Sequence, residues 1–592
     1  MQSATELLGA LRRYWGYDSF RPMQERIVRS LLGGQDTCVV MPTGGGKSLC
    51  YQLPAALLAD RTVIVVSPLI ALMQDQVAQL TQMGIPAALL NSTIAAAEQS
   101  AIVSQAIKGQ YRLLYLSPER LARADTIEWL QRVPASFFAI DEAHCISEWG
   151  HEFRPEYRQL SSLRKHFPDR TIAAFTASAT KQVRHDIVEQ LALRQPHKYI
   201  ASFHRPNLRY VVRECDARAQ ATLLVKALQN YAGENVIVYA PTIARVEETV
   251  ILLAEAGIKA IAYHGKMDNA TRRRNQEKWM SDEVPVLVGT IAFGLGINKA
   301  AVRAVIHLSL PKSIEQYYQE AGRAGRDGLP ADCVLLWRKK DAGLLAHFIE
   351  QVSDPAERER GWQRYRIIRS FVESKGCRHR QICVHFGESP KWQSCGACDV
   401  CGCEIKWLAE PVATPRPKRR EKLAATARAS ATAAAAAAAS ITFTRGPRSA
   451  AENAAEFAPP HNAGASSSGW WGAKRNADQR NAPEQSNNVS RPNDMARRQT
   501  LFNANQAAAN GVDPELRAYM REWRRRTSKE MNIAAFIIMH DTSLDSLCHI
   551  HPRTLAQLRT VSGFGERKTE LYGQQILEAL TQFRNGARAT EE

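Results

Sequence analysis

Thr37-Cys-Val-Val-Met41-Pro-Thr43-Gly44-Gly45-Gly46-Lys47-Ser48-Leu-Cys-Tyr-Gln-Leu-Pro-Ala-Ala-Leu-Leu58 decides the fold class. A β-like run of buried character gives way to a glycine turn and then to a segment that can start a helix. Gly44, Gly45 and Gly46, with Thr43 beside them, let successive backbone N–H groups converge on phosphate oxygens. Lys47 reaches the β/γ oxygens and the Ser48 hydroxyl ligates Mg²⁺. The helix N-terminus that follows favours anions. Met41 stands where the usual G-x-x-x-x-G-K-S pattern has its first glycine. A strand, a phosphate loop and a helix in this order predict an α/β fold built on a parallel sheet.

A second stretch supplies the acidic partner. Phe137-Phe-Ala-Ile140 is a buried-strand run that ends in Asp141-Glu142-Ala143-His144, so Asp141 is placed at a strand's C-terminal end, where α/β sheets bind ligands. Asp141 is expected to hold Mg²⁺ through water, and Glu142 to orient or deprotonate the attacking water. Directly after come Trp149, His151, Phe153 and Arg154 in a polar, turn-forming segment. Aromatic faces beside cationic groups stack unpaired bases and grip a phosphate backbone. Phosphoryl chemistry and a nucleic-acid platform are therefore adjacent along the chain, which points to a nucleic-acid motor.

Upstream, Tyr17, Phe20, Arg21 and Gln24 offer an aromatic, a guanidinium and an amide that matches both polar atoms on adenine's edge. Beyond residue 210 a second strand–helix alternation begins. Strand-like runs lie at 235–240, 260–264, 284–289 and 304–308, with helical patterns at 244–256 and 268–280 between them. This half lacks its own phosphate loop but carries Gln319-Glu-Ala-Gly322-Arg323-Ala-Gly-Arg326-Asp-Gly328. Arginines in a Gly-rich turn, on a lobe facing another lobe's nucleotide, look like an arginine finger.

These motifs, with Ser67-Pro-Leu-Ile-Ala-Leu-Met-Gln-Asp-Gln76, Leu116-Ser-Pro-Glu119, Thr176-Ala-Ser-Ala-Thr180 and the Gly289–Lys299 run, resemble the RecQ family of superfamily 2 DNA helicases over roughly residues 1–405. The W-G-H-x-F-R-P run after D-E-A-H is the most diagnostic. The resemblance implies that Tyr17, Arg21 and Gln24 contact adenine, that Lys47 and Ser48 contact the phosphates and Mg²⁺, and that Arg326, with Arg323, faces the γ-phosphate. Trp149, Phe153 and Arg154 become the sensor that reports bound single strand to the ATP site. It also implies ATP-driven 3′→5′ unwinding of duplex or branched DNA in recombination and repair. Asn298 stands where the family usually has Asp; the amide keeps the acceptor.

Six of the 12 cysteines, Cys377, Cys383, Cys395, Cys398, Cys401 and Cys403, fall within a short span. Cys395-Gly-Ala-Cys398-Asp-Val-Cys401 has thiolate-knuckle spacing, and Cys377 can close a tetrahedron around one structural Zn²⁺. Cys403 competes for the fourth place, and Cys383 occupies an apolar position in a helical run. The resemblance maps the zinc ligands onto Cys377, Cys395, Cys398 and Cys401. The N-terminus, Met1-Gln-Ser-Ala-Thr-Glu, lacks the basic–apolar–small order of a secretory signal, and a reducing setting favours zinc over disulfides.

From 405 to 500, 15 basic residues stand against 7 acidic, and alanines run unbroken from Ala433 to Ala439. Such a segment buries too little apolar surface to offset its chain entropy and is expected to be a disordered linker. Many RecQ proteins have a winged-helix domain here; no strand–helix alternation that could form one is visible. Order is expected to return near 510. Leu516, Tyr519, Met520 and Trp523 have helical spacing there, and Gly563-Phe-Gly565-Glu-Arg567-Lys568 forms a tight turn able to meet a phosphate. This part resembles the helicase-and-RNase-D C-terminal (HRDC) domain. A coil of about 100 residues spans on the order of 50–60 Å, so the bundle is expected to sample DNA without docking on the motor.

The expected organisation is an ATP-binding lobe (1–208), a second RecA-like lobe (209–340), a zinc-binding domain (341–405), a basic linker (406–508) and an all-α HRDC bundle (509–588). Net charge +18 favours a polyanionic partner, single-stranded and branched DNA. Single-strand-binding protein or other repair proteins are further expected partners of a monomer. No apolar run reaches the roughly 18 residues of a membrane span. The expected location is cytoplasmic, on the nucleoid, in a bacterium; the Pro415–Lys422 cluster reads equally as a solvated basic linker that loosely holds nucleic acid or, in a eukaryote, as a nuclear address. Two rival functions are an RNA-directed motor and an ATP-switched protein that clamps or anneals DNA.

Overall fold

The computed structural model describes residues 3–91, 94–150, 152–290, 299–403, 405–409, 513–531 and 533–589. The first lobe holds β1 (Thr37–Val40), β2 (Thr62–Val66), β3 (Ala87–Leu90), β4 (Leu113–Leu116), β5 (Ala135–Ile140), β6 (Thr171–Thr176) and β7 (His197–Ile200). Their spatial order is β3-β4-β2-β5-β6-β1-β7, and every pairing is parallel. The second lobe holds β8 (Leu208–Glu214), β9 (Asn235–Tyr239), β10 (Ala260–Tyr263), β11 (Val286–Gly289), β12 (Val302–His307) and β13 (Ala331–Trp337). These are also all parallel, in the order β10-β11-β9-β12-β13-β8. Parallel sheets are covered on both faces, so their strands read as continuous apolar runs. β1, β2, β4 and β6 are buried at every position, which is why such runs located the strands.

A zinc-domain unit follows, with helices Lys339–Glu350, Pro355–Glu373 and Arg378–His385. It is stitched to the second lobe: Tyr210 of β8 bridges to Cys398, and the Asp399 carboxylate accepts from the Val212 N–H at 3.3 Å and from Arg378 at 3.0 Å. Inside the span expected as linker, Lys406–Ala409 is a helical turn whose buried Trp407 belongs to a segment packed on the helix Ala217–Asn230. The rest of that span, 410–508, lies outside the described residues, as do His151 and Asn298.

The C-terminal bundle consists of helices Pro514–Met531, Ala535–Ile538, Asp541–Ile550, Leu555–Leu558 and Glu566–Arg584 around Leu516, Met520, Leu544, Leu547, Phe564 and Ile576. It does not stand apart from the motor, contrary to expectation. The Gly563 N–H donates to the Gly16 carbonyl (3.3 Å) and Tyr572 to the Gln82 side chain (3.2 Å), both on the first lobe. Arg521 and Arg524 lie 3.2 and 3.4 Å from Asp282 on the second lobe. The reason is thermodynamic: the entropy of closing a loop grows only logarithmically with length, about 0.6 kcal/mol per doubling, so a long linker opposes docking weakly.

Candidate active site and nucleic-acid interface

The loop Met41–Gly46 leaves β1 and enters the helix Lys47–Leu57. Gly44 (φ +84°) and Gly46 (φ +82°) adopt the left-handed conformation that glycine takes without steric cost. Met41 has no such requirement. It is buried in the lobe core and its methyl lies against Gly45, which explains why the first glycine of the pattern is dispensable. Lys47 Nζ donates to the Met41 carbonyl at 3.3 Å, folded back over the cradle where phosphate oxygens are expected.

Asp141 follows β5; its N–H donates to the Val66 carbonyl (2.8 Å), and its own carbonyl accepts from Tyr157 (2.9 Å). Burial, then the Glu142 carboxylate, push the Asp141 carboxyl up to about 7, against the pull of Lys47. A divalent cation relieves such a penalty, and the Ser48 hydroxyl with the Asp141 carboxylate is a hard-oxygen donor set suited to Mg²⁺. Glu142 sits at φ 47°, ψ 44°, a left-handed conformation costing a non-glycine residue about 1–3 kcal/mol. His144 Nδ1 lies 2.9 Å from the Thr176 hydroxyl and 3.3 Å from the Glu142 carboxylate. Gln319 on the second lobe donates to Ser178 at 3.0 Å, so polar contacts run from Glu142 toward the segment bearing the arginines.

The two lobes meet at the phosphate loop. Side-chain carbons of Arg326 lie 3.5–3.6 Å from where a Cβ on Gly44 would stand. Burial, then the like charges of Arg323 and Arg205, lower the Arg326 guanidinium to about 9. Three arginines converging on an anion cradle are stabilised by the anion that fills it. Arg205 escaped the sequence reading. Its guanidinium donates to the Thr43 carbonyl (3.1 Å) on one lobe and to Ala324 and Gly325 (3.3 and 3.2 Å) on the other. Nothing local marks it, because it lies in an unpatterned interlobe segment. Charged hydrogen bonds contribute about 1.5–3 kcal/mol, so Arg205→Ala is expected to lower DNA-stimulated ATP turnover roughly tenfold or more at saturating nucleotide. Unchanged turnover would remove Arg205 from the groups that join the lobes.

Gln24 is buried, accepts from the Arg21 N–H (2.8 Å) and donates to the Gly46 carbonyl (3.2 Å). Arg21 donates to Gly44, while Tyr17 stays exposed. Arg21 and Gln24, two of the residues expected to contact adenine, thus reach the phosphate loop directly. Trp149 is 47% exposed and Phe153 36%, as a stacking surface requires. Arg360, from the zinc domain, lies 5.9 Å over the Trp149 ring, and Arg158 lies 5.8 Å over Phe153. Arg154 is paired with Glu152 at 2.9 Å. Arg360 was also missed, being far from Trp149 in sequence.

The sulfurs of Cys377, Cys395, Cys398 and Cys401 all lie within 4.8 Å of one another, a fit to one tetrahedral zinc. The Ala397 N–H points to Cys395 Sγ at 3.3 Å, the kind of contact that orients a thiolate ligand. Cys403 is outside this group, and Cys383 is fully buried in its helix. The turn expected to meet phosphate in the bundle is only partly open to solvent: Arg567 is exposed and paired with Glu570 at 3.0 Å, whereas Lys568 is buried, and burial lowers its ammonium to about 8.

Two parallel-sheet lobes, with a phosphate loop on one and arginines brought to it by the other, define a nucleotide-driven motor of the DEAD/DEAH class. The family descriptions that match are DEAD/DEAH box helicase (residues 21–186), helicase conserved C-terminal domain (219–328), RecQ zinc-binding (339–402) and HRDC domain (513–580). The chain is 35% identical over 607 residues to the ATP-dependent DNA helicase RecQ of Pasteurella multocida, covering 98% of this chain and 94% of that one. It is 44% identical over 395 residues to the Haemophilus influenzae protein of the same name, covering 67% of this chain and 63% of that one. The Bacillus subtilis RecQ is 39% identical over 393 residues, 66% of each chain. The chain belongs to the RecQ family of ATP-dependent DNA helicases. Among the described residues no helix is long and apolar enough to cross a membrane.

Proposed function

We propose that this protein hydrolyses ATP to move 3′→5′ along single-stranded DNA and to part duplex or branched DNA, acting as a monomer alongside single-strand-binding and other repair proteins. The observation that carries this reading is the exposed Trp149, five residues past the buried His144 that contacts Glu142 and bracketed by Arg360 of the zinc domain. In this reading Lys47 and Ser48 hold the phosphates and Mg²⁺ with Asp141, Glu142 activates water, and Arg326 and Arg323 neutralise charge developing on the γ-phosphate. Tyr17, Arg21 and Gln24 select adenine. Trp149, His151, Phe153 and Arg154 contact the strand, and stacking there is transmitted through the 144–149 segment to Glu142. The Mg²⁺ supplies charge stabilisation for the transferred phosphoryl group. Unwinding of a 3′-tailed against a 5′-tailed duplex, with ATP turnover followed in parallel, tests the proposal. Preference for the 5′ tail, or turnover without strand separation, would overturn it.

Trp149→Ala is expected to separate the two functions. Stacking one base on an aromatic contributes about 1–3 kcal/mol, and a footprint of several nucleotides makes many other contacts. Strand binding should therefore fall modestly while stimulation of ATP turnover falls much more. Full stimulation at saturating DNA in this variant would remove Trp149 as a sensor.

A further inference from the structure

Two glycines, one on each side, form the seat of the bundle on the first lobe. A Cβ on Gly565 would stand 2.5 Å from the Arg13 carbonyl oxygen and 2.6 Å from that of Tyr14. One on Gly16 would stand 2.6 Å from the backbone of Phe564. Gly565 itself has φ −76° and ψ 178°, extended backbone that any residue adopts. Glycine is therefore required there by the approach of the motor and not by the bundle's own conformation. On the second lobe the seat is a charge cluster. Asp282 accepts from Lys299 at 2.7 Å and Asn235 at 2.9 Å, and faces Arg521 and Arg524 of the bundle. Burial works against its charge, yet Lys299, Arg521 and Arg524 hold its carboxyl well below the usual carboxylate range. Arg524 also pairs with Asp541 at 2.8 Å within the bundle.

The first foot stands beside the expected adenine contacts, since Gly16 immediately precedes Tyr17, and at the second foot Lys299 closes the Gly289–Lys299 run that carries part of the family resemblance. The lobes joined in this way are closed on each other, with Arg326 against Gly44 and Arg205 bonded across the cleft. We propose that the C-terminal bundle is an interlobe clasp, seated through Gly565 on the first lobe and Asp282 on the second, that favours the closed cleft and so tightens the ATP site. Opening the lobes must detach one foot. A nucleotide bridging the phosphate loop and Arg326 favours the same closed arrangement, so seating and nucleotide binding strengthen each other reciprocally. The seated face also carries the Gly563 N–H, which is therefore withheld from any other partner while the clasp is closed.

The inference rests on the ATP site proposed above, and its test separates the two. Gly565→Ala adds one methyl whose three nearest atoms are all motor backbone. In the zinc-loaded full chain with saturating single strand, the variant should raise the KM for ATP roughly fivefold or more, in the usual range of coupling between sites, with kcat within about twofold of the parent. Hydrogen exchange should accelerate over residues 12–18 and 279–284 together, while 574–582 inside the bundle's last helix stays protected. Unchanged exchange at both feet, loss at the first foot alone, or an unaltered KM despite loss at both overturns the clasp. If 574–582 also loses protection, Arg521→Ala decides, since the contact described for Arg521 outside its own helix is Asp282. It must reproduce the rise in KM, and an unchanged KM overturns the proposal. A parent enzyme without ATP turnover would instead overturn the proposed function, and the exchange comparison would still decide the seating.

Discussion

Glu142→Gln is expected to abolish steady-state ATP turnover while leaving ATP bound, a loss of roughly 10²–10⁴-fold if the carboxylate acts as general base. The amide keeps the size of the side chain and can keep an oxygen 3.3 Å from His144 Nδ1, so the surrounding backbone is not disturbed. What is lost is the ability to take a proton from water. Lys47→Ala should fail differently. It removes a charge from the phosphate cradle and weakens nucleotide binding itself, because the Lys47 ammonium folds back over the loop. Filter binding of radiolabelled ATP alongside single-turnover hydrolysis separates the two outcomes. Near-normal DNA-stimulated turnover in Glu142→Gln would remove the role assigned to Glu142, whatever the behaviour of Lys47→Ala.

The second large effect is the loss of zinc. Binding at a structural thiolate site supplies on the order of 10–16 kcal/mol of apparent folding free energy, comparable to the whole stability of a domain. Cys395→Ser or Cys398→Ser should give protein lacking its one zinc and poorly soluble. The damage should spread to the second lobe, because Asp399 within the knuckle bonds Arg378 and the Val212 N–H of β8. Cys383→Ser should keep the metal and lose only core packing. Cys403→Ser should also keep it, since that thiol lies outside the group of four sulfurs. Metal content per chain and thermal unfolding measure both effects. Zinc loss in Cys403→Ser, with retention in Cys401→Ser, would overturn the assignment of the ligand set.

Chemistry that depends on contiguous backbone could be read from the sequence alone. A phosphate cradle needs glycines in register with a lysine, a knuckle needs thiols at fixed short spacing, and a buried parallel strand needs an unbroken apolar run. For that reason the two α/β lobes, the loop at Gly44–Ser48, the Asp141–Glu142 pair and the cysteine group were all legible. Arg205 and Arg360 were not, because their roles come from facing Thr43 and Trp149 across domain boundaries, and a lone arginine carries no local signature of such a partner. The turn at Gly563–Lys568 shows the limit most clearly. A pair of glycines permits close approach by anything with a hydrogen-bond acceptor, a phosphate or another backbone carbonyl. Sequence determined that something would come close to that turn; only the tertiary structure decided that it is the carbonyl of Gly16, because the partner's identity is fixed by which surfaces the folded lobes bring within 3.3 Å.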